Sequence, residues 1–268
     1  MNTPIHPANS RNEAAPERAP GNAVSTLAES GRALQAQQIS REMIQQMAEP
    51  APKPARDLDA RGIIRHDMAA RRQADVFRDL RTQLLALGRG RNFVTLVAPV
   101  SHGSGASLVA TNLAAAFAFD ASKTALLIDC NLRKPVLHER LGVRAENGGL
   151  TDFLESTTIG VERIIYPTGI RRLRLIPGGD RRESCGEFFS SYRMLGLIGN
   201  LRARYPDRYL ILEAPAISSS PDARILSELA DMVVIVAGHG VDSVAAVEDA
   251  LSGLDPARVA GVVLNGVP

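Results

Sequence analysis

Beyond residue 90 the chain alternates between short unbroken apolar runs and longer stretches in which apolar residues recur every three or four positions. The runs FVTLVA at 93–98, TALLID at 124–129, LRLIP at 173–177, YLILE at 209–213, MVVIVA at 232–237 and VAGVVL at 259–264 predict strands. Helical patterns lie at 107–119, 187–204, 221–230 and 243–253. A further helix is predicted over 68–87, with Phe77, Leu80, Leu84 and Leu87 on one face. Strands that are apolar throughout, separated by helices, predict an α/β fold. Its mostly parallel sheet is covered by helices on both faces, giving three α/β/α layers.

The first 55 residues break this pattern. They are rich in Pro, Ala, Gln, Asn and Glu, and the start and the AEPAPKPAR stretch read as disordered tether. Between them, Leu27, Leu34, Ile39, Met43, Ile44 and Met47 fit a short amphipathic helix over 24–47, suited either to docking on a partner or to a partly helical linker. The organisation expected is a tether over 1–55 and a folded domain over 56–268.

Composition removes several function classes. Net charge is +2, so bulk charge gives no argument for a nucleic-acid partner. The two cysteines, Cys130 and Cys185, lack metal-site spacing. No apolar run approaches the ~18 residues of a membrane span, and the start lacks a signal pattern, so a cytoplasmic location is expected. Basic residues are almost all Arg; the lysines are Lys53, Lys123 and Lys134.

Chemistry concentrates first in VSHGSGAS at 100–107, between a predicted strand and helix. Glycines let backbone N–H groups turn around phosphate oxygens, and a helix N-terminus adds its positive end. A working phosphate loop reads GxxxxGK followed by Ser or Thr. Gly103, Ser104, Gly105 and Ser107 fit, with Ser107 as the magnesium-binding hydroxyl, but the lysine position holds Ala106. Taken alone this is a weak signal, and a ligand-free glycine turn accounts for it as well.

The neighbouring segments change the balance. VAPVSHGSGASLVATNLAAAFA at 97–118 aligns without gaps on VTSxxPGEGKSTxxxNLAxxxA, and LLIDCNLRKPVLHERLG at 126–142 on LLIDxDLRxPxxHxxFG. GLTDFLE at 149–155, EFFSSYRM at 187–194, YLILEAPAISSSPDARILSELADMVVIV at 209–236 and VAGVVLNGV at 259–267 continue the match. Across residues 57–268 the chain resembles the bacterial tyrosine autokinases of exopolysaccharide synthesis. That resemblance implies a fold of the MinD and ParA type, ATP or ADP with magnesium, and a place beside a membrane-anchored polysaccharide copolymerase. It also implies a peripheral position at the inner membrane through that partner. ADVFRDLRTQL at 74–84 is similar to the family's oligomerisation segment EAxRxLRTNL. Asp75, Arg78 and Arg81 would then bind another copy or an active paralogue, although a local i,i+3 pair on a solvated face explains them too.

Set against the family pattern, four departures bear on catalysis. Ala106 replaces the lysine, Asn131 replaces the second Asp of the motif that keeps Asp129, and Glu213 stands at the strand-end Asp. The family's tyrosine-rich tail has no counterpart before Pro268, and Tyr166, Tyr192, Tyr205 and Tyr209 are scattered. Loss of one preorganised charge at a transferring phosphate costs about 3–4 kcal/mol, or roughly 100- to 1,000-fold in rate. The expectation is a retained fold with weak or absent turnover, acting as a regulatory or scaffold subunit. An active autokinase with relaxed motifs and a partition- or positioning-type ATPase are the alternatives. Asp129 and Glu213 are the remaining catalytic candidates, with Asp129 also a magnesium candidate. Arg133 and Lys134 are candidates for a replacement cation near a phosphate. Arg171, Arg172, Arg174, Arg181 and Arg182 form a basic cluster suited to an acidic surface, or simply to solvated loops.

Overall fold

A computed structural model describes residues 51–67, 71–183 and 185–266, with isolated positions between 35 and 47. Most of the segment expected as an amphipathic helix, and all of residues 1–34, lie outside the described residues.

Seven strands form one sheet: β1 Val94–Pro99, β2 Thr124–Asp129, β3 Tyr166–Pro167, β4 Leu173–Ile176, β5 Arg208–Glu213, β6 Met232–Gly238 and β7 Val259–Asn265. Their order is β3-β4-β2-β5-β1-β6-β7. All neighbours run parallel except the β3–β4 pair. β1, β2, β5 and β6 are buried along their whole lengths, as unbroken apolar runs require when helices cover both faces.

Side chains alternate between two cores. Leu126, Ile128, Leu210, Leu212, Val233 and Ile235 point to one face, where they meet the helices Leu150–Glu155, Tyr192–Arg204, Asp222–Ser227 and Val244–Ser252. Ala125, Leu127, Tyr209, Ile211, Val234 and Val236 point to the other, beneath Arg71–Gly88 and Ala106–Ala118. Ala106–Ala118 is buried on nearly every side, because its small residues let it lie between the sheet and the amphipathic Arg71–Gly88 helix. Phe117 from that helix stacks on Tyr209 at 4.4 Å, and Phe93 sits 4.9 Å from the same tyrosine ring.

Several local expectations are corrected. Residues 51–54 belong to the ordered body: the Lys53 N–H donates to the Gly169 carbonyl at 3.0 Å, and Pro54 leads into the helix Ala55–Ala60. Leu87 is 54% exposed, not buried with Phe77 and Leu84, because at 3.6 residues per turn it falls about 60° round the helix from Leu84. The helix expected over 187–204 is two, Gly186–Phe189 and Tyr192–Arg204. The break occurs where Ser191 Oγ caps the second helix by accepting from the Met194 N–H. The short antiparallel β3 has no apolar run to announce it.

Four of the five arginines of the basic cluster make separate structural contacts, and Arg171 stays exposed. Arg172 donates to the Ala118 and Phe119 carbonyls at 3.0 and 3.3 Å, and Arg174 is buried. Arg182 grips Glu155 with two bonds of 2.8 and 2.9 Å, and Arg181 pairs with Glu183.

Phe117→Ala removes a 1%-exposed ring from this aromatic stack, so it should cost about 3–5 kcal/mol of stability. The check is a urea unfolding midpoint well below that of the parent chain, with an unchanged transition slope.

Candidate functional site

The chain leaves central β1 for β2 on one side and reaches β6 on the other, so connections diverge at the carboxyl end of β1. Open parallel sheets bind ligands in such crevices. A cleft of about 480 Å³ lies there, walled by Ser101, His102, Gly103, Gly105, Ala106, Ser107, Asn131, Lys134, Val136 and Glu213, among others.

The loop on one side of this cleft is fastened from beneath. Gly103 and Gly105 adopt left-handed φ values of 91° and 88°. A Cβ on Gly105 would stand 2.1 Å from Asn265 Nδ2, which instead donates to the Ser104 carbonyl at 3.0 Å. Ser104 is completely buried; its Oγ lies 2.7 Å from both the Ser101 carbonyl and Asp242 Oδ2, and it accepts from the Ser101 N–H at 3.1 Å. Asp242 also takes bonds from Ser101 Oγ and from the Gly238 N–H. Burial pulls the Asp242 carboxyl up, but the bonds from Gly238, Ser101 and Ser104 outweigh it and leave it below its ordinary value. The N–H groups of His102, Gly103, Gly105, Ala106 and Ser107 have no protein acceptor among the described residues. The result is a ring of donors at a helix start, chemically suited to an anion.

Below the loop, Asp129 and Glu213 end β2 and β5 in register, 0% and 1% exposed. Asp129 Oδ1 accepts from the Asn131 N–H at 3.2 Å, and Oδ2 from the Val136 and Leu137 N–H groups at 3.0 Å each. Glu213 Oε1 accepts from Ser107 Oγ at 2.9 Å, while its buried Oε2 has no hydrogen-bond partner. Burial raises the Asp129 carboxyl to about 7, against the pull of the three N–H groups. Burial, then the Asp129 charge, drives Glu213 well above the ordinary carboxylate range. The same burial and charges push up the Cys130 thiol, which fits a small buried filler.

The expected site residues therefore divide. Gly103, Gly105, Ala106, Ser107 and Glu213 line one cleft, whereas Ser104 turns inward to hold the loop. Asp129 lies one strand away with both oxygens committed to backbone N–H groups. Of the predicted site residues, Ser107 and Glu213 are thus the ones whose side-chain oxygens line the cleft, a hard pair of the kind magnesium takes. Arg133 does not reach the cleft: its Nε pairs with the buried Asp222 at 3.3 Å. Asp75 and Arg78 pair within their own helix at 2.8 Å, and Arg81 donates to the Ala116 carbonyl at 2.8 Å. Asp242 and Asn265 were not singled out from sequence. The only trace of either was the position of Asn265 in the closing VVLN strand.

No protein-family profile matches the chain. Tyrosine-protein kinase wzc of Salmonella typhimurium is 33% identical over 196 residues, 72% of this chain and 27% of that protein. The succinoglycan biosynthesis transport protein ExoP of Rhizobium meliloti is 30% identical over 205 residues, again 72% of this chain, and 25% of that protein. The chain thus spans about a quarter of the length of these relatives. Among solved structures, the kinase domain of VpsO matches with a TM-score of 0.67 and 25% identity, over 80% of this chain and all of that one. A ParA-family ATPase from Chlorobium tepidum shares the fold at a TM-score of 0.50 and 19% identity, over 65% of this chain and 74% of its own. The fold is accordingly that of the ParA-like P-loop ATPases. Within that class, the chain belongs to the bacterial tyrosine-kinase family associated with exopolysaccharide synthesis.

The carboxyl pair has a consequence for stability. Both groups titrate near about 4 when unfolded and higher when folded, so between those values the native state binds more protons. Stability is then full below pH ~4 and falls as pH rises through about 7. In magnesium-free buffer, melting temperature should decline from pH 5 to pH 8, and Glu213→Gln should flatten the decline and raise stability at pH 8.

Proposed function

We propose that this chain is a regulatory or scaffold subunit of an exopolysaccharide synthesis and export machine, in which a nucleotide-binding domain has lost most of its turnover. The observation that carries this reading is the loop: five N–H donors stand open at a helix start while the lysine position is Ala106. ATP or ADP would place its phosphates against those donors. Ser107 and Glu213 would hold the magnesium ion, whose charge neutralises the phosphate oxygens. Asp129 acts from behind, through the field it exerts on Glu213 and the shape it gives the 131–137 turn. Asn131 cannot supply the second carboxylate of the family motif.

Residues 1–50 form the tether in this reading, and residues 51–268 the kinase-like domain. The partner is a membrane-anchored polysaccharide copolymerase, which brings the chain to the cytoplasmic side of the inner membrane. Among the described residues no helix is long and apolar enough to cross a membrane. The Arg71–Gly88 helix, with Asp75 and Arg78 on its exposed side, is the surface for a second copy or an active paralogue.

The active-autokinase alternative has one observation in its favour. Tyr192 is 92% exposed, whereas Tyr166 and Tyr209 are buried and Tyr205 is partly so, with the guanidinium of Arg208 3.8 Å from its ring centre. Phosphotyrosine, whether added by this chain or by a paralogue, should map to Tyr192 in mass spectra of protein isolated from its host; modification spread over the other three would sink that assignment.

The main reading is tested on the full chain beside the variant Ala106→Lys, Asn131→Asp, Glu213→Asp. Calorimetry should detect MgADP binding to the parent chain, with phosphate release from MgATP at background. The variant should raise the release rate by roughly 100-fold or more. Brisk hydrolysis by the parent chain would overturn the proposal.

A further inference from the structure

Lys134 stands on the wall of the cleft formed by the segment after β2. It is the only Lys or Arg lining the cleft among the described residues, and its ammonium makes no ion pair there. Its neighbours are committed elsewhere. Leu132 is 1% exposed in the core and its carbonyl accepts from the Arg182 N–H at 2.9 Å. Arg133 is held by Asp222, and Pro135 packs against Gly178, where a Cβ would approach it to 2.6 Å. The Lys134 N–H closes a turn on the Asn131 carbonyl at 3.0 Å. A turn anchored on both sides thus presents one free lysine to a cleft whose opposite wall is a ring of open N–H donors.

A second observation points to a ligand in the same place. Glu213 lines the cleft at 1% exposure, and its Oε2 lacks any hydrogen-bond partner. A buried carboxylate oxygen left open costs free energy unless a cation or donor completes it. The cleft therefore combines an anion side, made of the loop N–H groups and Lys134, with a cation seat at Glu213 and Ser107. That pattern fits a magnesium-bound polyphosphate.

We infer that Lys134 replaces the missing loop lysine and binds the β- and γ-phosphates of a nucleoside di- or triphosphate in this cleft. This rests on the nucleotide reading of the site and assigns it a residue. The lysine reaches the phosphates from the turn after β2, where the family's loop lysine comes from the helix start. The charge is restored from a different direction. Binding is preserved, while the geometry that the transferring phosphate needs is not. Lys134 is exposed, so its replacement leaves the core intact.

The test is calorimetry of the full chain with MgADP, MgATP and AMP, with circular dichroism to check folding. Lys134→Ala should weaken ADP and ATP binding roughly tenfold or more and leave AMP unchanged, because a charge-assisted contact to the outer phosphates is lost. Adding Ala106→Lys to Lys134→Ala should restore the lost affinity, while Lys134→Arg should retain most of it. If the parent chain binds ADP and Lys134→Ala binds it equally well, the role of Lys134 is overturned and the nucleotide reading stands. If the parent chain binds neither ADP nor ATP, both fall together.

Discussion

Asp129 and Glu213 end adjacent parallel strands in register, and neither side chain reaches solvent. Two carboxylates in such a place cannot both be charged without a counter-ion, because each lacks water and each opposes the other. The chain answers with three N–H groups on Asp129, the Ser107 hydroxyl on Glu213, and a proton held by the pair. These bonds shape what surrounds them. The N–H groups of Asn131, Val136 and Leu137 wind the segment after β2 around Asp129, and the Ser107 bond fixes the first turn of the helix that follows the loop. The 131–137 wall of the cleft, and the helix start on the other side, are thus tied to where those carboxyl groups needed hydrogen bonds.

The loop is supported from the opposite side by Asp242 and Asn265, through Ser101, Ser104 and the close approach at Gly105. Bonds within the protein hold its shape, with five N–H groups left open. Preorganised donors of this kind bind an anion without an ordering cost. On the function proposed above, anion affinity and catalytic charge reside in different atoms, backbone N–H for one and a side chain at position 106 for the other.

How much of this was legible in the sequence depended on the kind of interaction. The buried strands were legible because a strand covered on both faces must be apolar throughout, and β1, β2, β5 and β6 were placed to within a residue or so. The glycine turn after β1 and the two strand-end acids were legible as positions because motifs of the kind the chain resembles carry residue types at fixed spacing. β3 was not, since two residues pairing on an edge leave no periodicity. Asp242 and Asn265 escaped notice because their role exists only when three distant strand ends meet. Arg133 looked like a phosphate ligand by position in its motif, but the buried Asp222 draws its guanidinium away from the cleft, a competition no local pattern records.

The supports of the loop come from far along the polypeptide. Asp242 lies 138 residues after Ser104, and Asn265 161 residues after it. Central β1 likewise pairs only with β5 and β6, both synthesised more than a hundred residues later. On the ribosome, then, the first half of this domain emerges without its sheet neighbours and without a formed loop. High contact order of this kind makes folding slow and leaves apolar strands exposed while translation proceeds. The cleft is complete only once Asn265 has been made, so a nucleotide could engage it only after β7 has joined the sheet.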